Sequence, residues 1–201
     1  MDNRKTQTRR VLTRMNVNVN GSGRCSKEYW EGFDFNDVFI DPGPSPMGNS
    51  GPYLKVFNKI QDARDRLYPI YQVGDRVWVR EMWRETIEQP GIMYRADGWE
   101  NCIAKYNLKW KASIYMPKKY ARIWREITEV RIKRVQEISS DDISAEGMIT
   151  DMCIPSGYRS DKIGQFADLW DSINGERGYP WENNDWVIAL TLREIDTPSN
   201  L

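Results

Sequence analysis

From residue 123 to residue 135 the chain alternates apolar and polar side chains for long enough to make one extended strand, or two joined end to end. Ile123 and Ile127 share one phase, while Val130 and Ile132 share the other. A change of phase of that kind is what a β-bulge near Thr128-Glu129 produces. Further strands are expected over residues 53–60, over residues 186–192, and over residues 76–81, where Val77 and Val79 alternate with Arg76, Trp78 and Arg80 after a turn at Gly74-Asp75. Residues 85–101 read as a hairpin region turning at Asp97-Gly98.

Helices are fewer. Ser139 and Asp142 are spaced as a capping pair before a short helix that Gly147 can close, with Glu146 at its end. Ser160 is placed to cap a second helix, with Ile163, Phe166, Ala167, Trp170 and Ile173 on one core-facing stripe that ends at Asn174-Gly175. Residues 16–52 are rich in Asn, Gly, Ser and Pro and read as a long irregular insertion. Its rings, Tyr29, Trp30, Phe33, Phe35 and Phe39, require part of it to dock on the body. The expected class is α+β, in a single domain over residues 1–196 with a disordered tail at 197–201.

Composition removes several kinds of chemistry. The chain has no histidine, which excludes Ser-His-Asp and Cys-His mechanisms and the commonest metal ligand. Its three cysteines, Cys25, Cys102 and Cys153, are far apart and suggest neither a disulfide framework nor a zinc site. Neither a metal nor a cofactor is expected. No apolar run approaches the length of a membrane span and no secretory signal is visible, so a cytoplasmic protein is expected. Charge balances at 29 basic and 29 acidic residues but is unevenly spread. Residues 118–136 hold seven basic side chains against two acidic, and residues 137–201 four against thirteen. Such a basic stretch can meet a phosphate backbone, or be neutralised within the fold.

The densest chemistry lies in Lys5-Thr6-Gln7-Thr8-Arg9-Arg10, with an amine, two hydroxyls and two guanidinium groups in six residues. A lysine with a depressed pKa can serve as a base toward a hydroxyl, and Arg10 could grip a phosphate or carboxylate bidentately. The alternative is a solvated basic tail. Trp78, between two arginines, could stack a base or pack under the arginine stems.

This stretch resembles the G-x-K-x-x-T-x-R signature of the ASCH domain family, with Lys5, Thr8 and Arg10 in the K, T and R places and Asn3 in that of Gly. Three further segments resemble a phage and prophage branch of that family: GDRVWVRE from Gly74, WKASIYMP from Trp110 and FADLWDSING from Phe166. The resemblance implies a PUA-like β-barrel with flanking helices and long loop insertions. It also implies that a strand usually preceding the K-x-x-T element is missing here. Register with the small bacterial N4-acetylcytidine amidohydrolases of the family carries from Ile138 to Glu146. It implies Lys5 as proton acceptor, Thr8 as nucleophile and Glu146 as proton donor. Ser113 and Lys118 are the substrate contacts it implies, and Arg10, Trp78 and Arg80 are candidate contacts beside them. The expected partner is RNA or a small, modified nucleoside in the cytoplasm of a bacterial host. Deacylation of such a nucleoside is the alternative function, and a phage assembly role a third.

Overall fold

The computed structural model of the chain describes residues 5–42, 51–86, 91–148 and 161–198. Among the described residues strand outweighs helix, in a mixed α+β chain. Its internal contacts divide it into two units, one drawn from residues 1–75 and 127–193, the other from residues 76–126 and 194–201. No helix among the described residues is long and apolar enough to cross a membrane.

The first unit begins with β1 (Gln7–Val11), β2 (Val17–Val19), α1 (Lys27–Glu31), β3 (Phe33–Asp41), β4 (Tyr53–Asn58) and β5 (Ala63–Pro69). The last four strands form an antiparallel sheet in the order β2-β5-β4-β3. The stretch expected as an irregular insertion therefore carries two strands and a helix. Turn residues dominate its composition, and among the described ones Asn20 and Gly21, both at positive φ, reverse the chain after β2. Between them the local rules are obeyed: Val17 and Val19 are buried on either side of Asn18, and the Ser26 hydroxyl caps α1 by accepting from the Tyr29 amide. Tyr29, Trp30, Phe33 and Phe35 pack ring to ring at 5.1 to 6.1 Å, which docks α1 on β3. Phe39 stays exposed under the Arg64 guanidinium. The Pro44 and Pro46 breakers lie outside the described residues.

A buried carboxylate ties this region together. Asp65 on β5 accepts from the Asn20 amide, from the Tyr29 hydroxyl at 2.8 Å and from the Asn58 amide at 3.1 Å. Burial, and then the bond to Asp65, push the Tyr29 hydroxyl up to about 12.

The second unit holds β6 (Arg76–Trp78), β7 (Trp83–Glu85), β8 (Ile92–Tyr94) and α2 (Glu100–Lys105). The expected strand over residues 76–81 is thus shorter, and the hairpin expected over residues 85–101 is displaced: β7 begins at Trp83 and pairs with β8, while Asp97-Gly98 ends a short helical turn that precedes α2. The long strand is β9 (Trp124–Arg134), whose first three residues pair with β6 in this unit. Trp83, Met116, Ala121 and Trp124 form its core.

β9 then continues in the first unit. Thr128 and Glu129 are consecutively exposed between buried Ile127 and Val130, which is the phase change the sequence required. The unit is completed by α3 (Ser140–Ala145), α4 (Lys162–Asn174) and β10 (Trp186–Ile195). β10 lies between β1 and β9, pairing with β1 in the antiparallel register Gln7 to Thr191 and Val11 to Val187. Val135, Ile138, Ile143, Phe166, Trp170 and Val187 make the core that joins α3 and α4 to these strands. Ile163 and Ile173, expected in that core, are exposed at 41% and 50%. The buried residues of α4 are Gly164, Phe166, Ala167 and Trp170, so the wider apolar stripe is not consumed by packing. Ser160 lies outside the described residues, and the observed cap is Asp161, whose carboxylate accepts from the Gly164 amide.

Replacing Asp65 by Ala leaves the Asn58 amide, buried to 0% exposure, without its acceptor. We expect a loss of roughly 1–3 kcal/mol in unfolding free energy, read by urea denaturation; an unchanged midpoint would show that the three donors find other partners.

Candidate functional site

Strand alternation sorts the residues of β1 onto two faces. Gln7 and Arg9 are buried, whereas Thr8 is half-buried and Arg10 exposed. The inward face meets α3. Asp142 and Glu146 stand four residues apart, one helical turn, so their side chains share the side of α3 turned toward β1. The Arg9 guanidinium bridges them, with Nη2 2.7 Å from Asp142 Oδ2 and Nη1 3.1 Å from Glu146 Oε1. Its side chain is 2% exposed, so these are charge-assisted bonds in a nearly dry place. The Gln7 amide adds a bond of 3.0 Å to Asp142 Oδ1, and Arg131 of β9 approaches the same oxygen at 3.5 Å.

Lys5 completes the group. Its Nζ lies 3.1 Å from Glu146 Oε2, with the lysine side chain 53% exposed and the glutamate 8%. Each Glu146 oxygen therefore carries one cation. Backbone contacts hold this corner in place. The Thr6 amide donates to the Ala145 carbonyl at 2.7 Å, satisfying one of the open carbonyls at the end of α3, and the Thr6 carbonyl accepts from the Leu192 amide of β10. Gly147 follows at φ +84°, and a Cβ there would lie 3.1 Å from Lys5 Cβ. Both the left-handed backbone and the close approach call for glycine.

Asp142 responds electrostatically. Burial pushes its carboxyl up, but the Gln7 bond together with the charges of Arg9 and Arg131 outweighs burial, so the net shift is below the ordinary value of 3.8.

Beside β1 lies a cleft of about 450 Å³ within the first unit, reached from both faces of the strand, by Thr8 and Arg10 from one and by Arg9 and Val11 from the other. Lys5, Thr8, Arg10 and Glu146 line one side of it, and Phe166, Leu169, Trp170 and Ile173 of α4 another. Four positions singled out in the sequence, three in a six-residue stretch and one far along the chain, thus converge on a single concavity. The remaining candidates do not join them. Trp78, Arg80, Ser113 and Lys118 belong to the second unit and none lines the cleft. Of the two readings of Trp78, the observed one is packing beneath an arginine: the Arg80 guanidinium lies 4.9 Å from the ring centre and donates to the Ile114 carbonyl. Lys118 lies over the Trp124 ring, and Ser113 opens a short helical turn whose last amide, that of Met116, bonds to its carbonyl.

Arg9, Gln7 and Arg131 were not candidates, and Asp142 was one only as half of a capping pair. That pairing is present, since Ser139 Oγ accepts from the Asp142 amide, but it leaves the Asp142 carboxylate free for Arg9. The signal was available in the four-residue spacing of Asp142 and Glu146. Among the described residues no cluster of three or more His, Cys, Asp or Glu is placed to hold a metal. No protein-family model, curated protein or solved structure matches the chain.

Two measurements follow from this geometry. Because the folded carboxyl of Asp142 is depressed, the stability it contributes is present in full above pH 3.8 and is lost as pH falls through the folded value. Asp142→Asn should therefore lower stability at neutral pH by roughly 1–3 kcal/mol and flatten the acid limb of a pH-stability curve; a parallel curve would show that Asp142 does not carry that limb. Gly147→Ala should cost about 1–2 kcal/mol and shift the amide resonances of Lys5 and Thr6, and unshifted resonances would show that the turn absorbs the methyl group.

Proposed function

We propose that the chain is a PUA-like protein of the ASCH type, and that the cleft of its first unit binds RNA or a modified nucleoside in the bacterial cytoplasm. The observation that carries this is the convergence of Lys5, Thr8, Arg10 and Glu146 on one cleft with an apolar wall. Their volume of about 450 Å³ lies within the roughly 300–1,000 Å³ of small-molecule sites. The two walls differ in kind, as a ligand with a flat apolar ring and a polar sugar requires. Leu169, Ile173 and the edges of Phe166 and Trp170 offer the first surface; Thr8, Arg10 and Lys5 offer hydrogen-bond donors on the second.

A second reading, deacylation of an N4-acetylcytidine-type nucleoside, is favoured by the contact between Lys5 and Glu146. In the resemblance Lys5 accepts a proton and Glu146 donates one. A single proton passed from the Lys5 ammonium to the Glu146 carboxylate across 3.1 Å would create both forms at once, a neutral amine and a carboxylic acid. Lys5 would then take the hydroxyl proton of Thr8 as its oxygen attacks the acyl carbonyl, and the Glu146 proton would leave on the departing amine. Water would release the acyl group from Thr8 as acetate. Arg9 is the positioning residue for this chemistry, because it fixes Glu146 from the side opposite Lys5.

Titrating the purified protein with N4-acetylcytidine while following tryptophan fluorescence tests the first reading, since Trp170 lines the cleft. Acetate release in the same mixture tests the second. Turnover that falls by roughly 10²–10⁴-fold in Lys5→Ala supports hydrolysis. Saturable binding without turnover leaves the cleft as a binding site, and a folded protein that gives neither binding nor turnover sinks both readings for this ligand.

A further inference from the structure

We infer that the ligand of this cleft carries a phosphate group, held by Arg10 and Arg177, so that the site takes a nucleotide in preference to the bare nucleoside. The inference rests on the cleft reading above and adds the charge of what enters. Four cationic side chains line the cleft, Lys5, Arg9, Arg10 and Arg177, against one carboxylate, Glu146. That carboxylate is already used, with one oxygen on Lys5 and the other on Arg9, and Arg9 is further satisfied by Asp142. Two guanidinium groups are left over. Arg10 and Arg177 are both exposed, and neither makes a side-chain hydrogen bond or ion pair with any described residue.

Their positions separate them from the apolar wall. Arg10 stands on the outward face of β1, two residues from Thr8, whose hydroxyl also has no partner among the described residues. Arg177 ends the helical turn Gly175–Arg177 that follows α4. On α4 itself Leu169 and Ile173, four residues apart, leave large aliphatic surface facing the cleft. Two unneutralised guanidinium forks beside an apolar wall suit a ligand with a flat apolar ring at one end and a phosphate at the other. A neutral nucleoside would leave both cations unanswered. A cation beyond a helix C-terminus also steadies the helix dipole, but that role for Arg177 would be read as stability and not as discrimination between ligands.

Calorimetric titration with cytidine, cytidine 5′-monophosphate, and a cytidine dinucleotide with and without a 5′-phosphate tests the inference. The monophosphate is expected to bind roughly tenfold or more tightly than cytidine, with an advantage that shrinks as salt is raised. In Arg10→Ala and in Arg177→Ala the ratio of the two affinities should fall toward one, while thermal unfolding stays within a few degrees of the parent. Preference for the mononucleotide over both dinucleotides identifies a free nucleotide; preference for either dinucleotide identifies a phosphate within an RNA chain. Both outcomes support the phosphate. Equal affinity for cytidine and its monophosphate would overturn the inference and leave the nucleoside-binding reading standing, as would a preference that survives both arginine substitutions. Absence of binding by cytidine, its monophosphate and N4-acetylcytidine alike would overturn the reading of the cleft itself.

Discussion

The corner where β1 meets α3 depends on one buried guanidinium. Arg9 is withdrawn almost wholly from water and could not be tolerated there alone, because an uncompensated buried charge costs several kcal/mol. Asp142 and Glu146 answer it from one side of a helix, and that answer fixes both the rotation of α3 and its depth against the strand. Glu146 then has one oxygen left, and Lys5 takes it. The order of causes runs from a structural ion pair to a chemical one. Glu146, one of the residues lining the cleft, is thus held from one oxygen by a guanidinium whose own hydrogen bonds are taken up by the fold.

This arrangement also explains how a six-residue stretch can be both scaffold and site. On a strand the pleat alternates burial: Gln7 and Arg9 are buried while Thr8 is half-buried and Arg10 exposed, and of these Thr8, Arg9 and Arg10 line the cleft. α4 supplies the complementary wall because its apolar stripe is wider than its packing needs. Phe166, Ala167 and Trp170 satisfy the core, and Leu169 and Ile173 remain as surface.

Local chemistry was legible in the sequence where a single element decides it. The capping role of Ser139, the glycine that closes α3 and the phase change at Thr128-Glu129 are read from neighbours within a few residues, and each is present; the turn at Asp97-Gly98, in contrast, leads into α2 and not into a second hairpin strand. In the stretch from residue 16 to residue 52 frequent turn residues obscure short elements that depend on partners outside it, β2 on β5 and β3 on β4. Among the site residues, Lys5, Thr8 and Glu146 are brought together in the sequence only by the family resemblance; nothing in their spacing predicts that Glu146 reaches Lys5. Arg9 was passed over beside the more exposed Arg10, since nothing local announces which of two adjacent arginines will be buried. Ser113 and Lys118 join them through the resemblance and Trp78 through its place between two arginines, yet these and Arg80 belong to the other unit and none lines the cleft.

The two faces of β1 place two kinds of selection on alternate letters of one short word. Exchanges at positions 7 and 9 are filtered first by whether the protein persists in the cell. On the proposed reading of the cleft, exchanges at positions 8 and 10 bear chiefly on what it recognises. A lineage could therefore change ligand by drifting at the even positions while the odd ones stay fixed, and the strand would keep its place in the fold throughout.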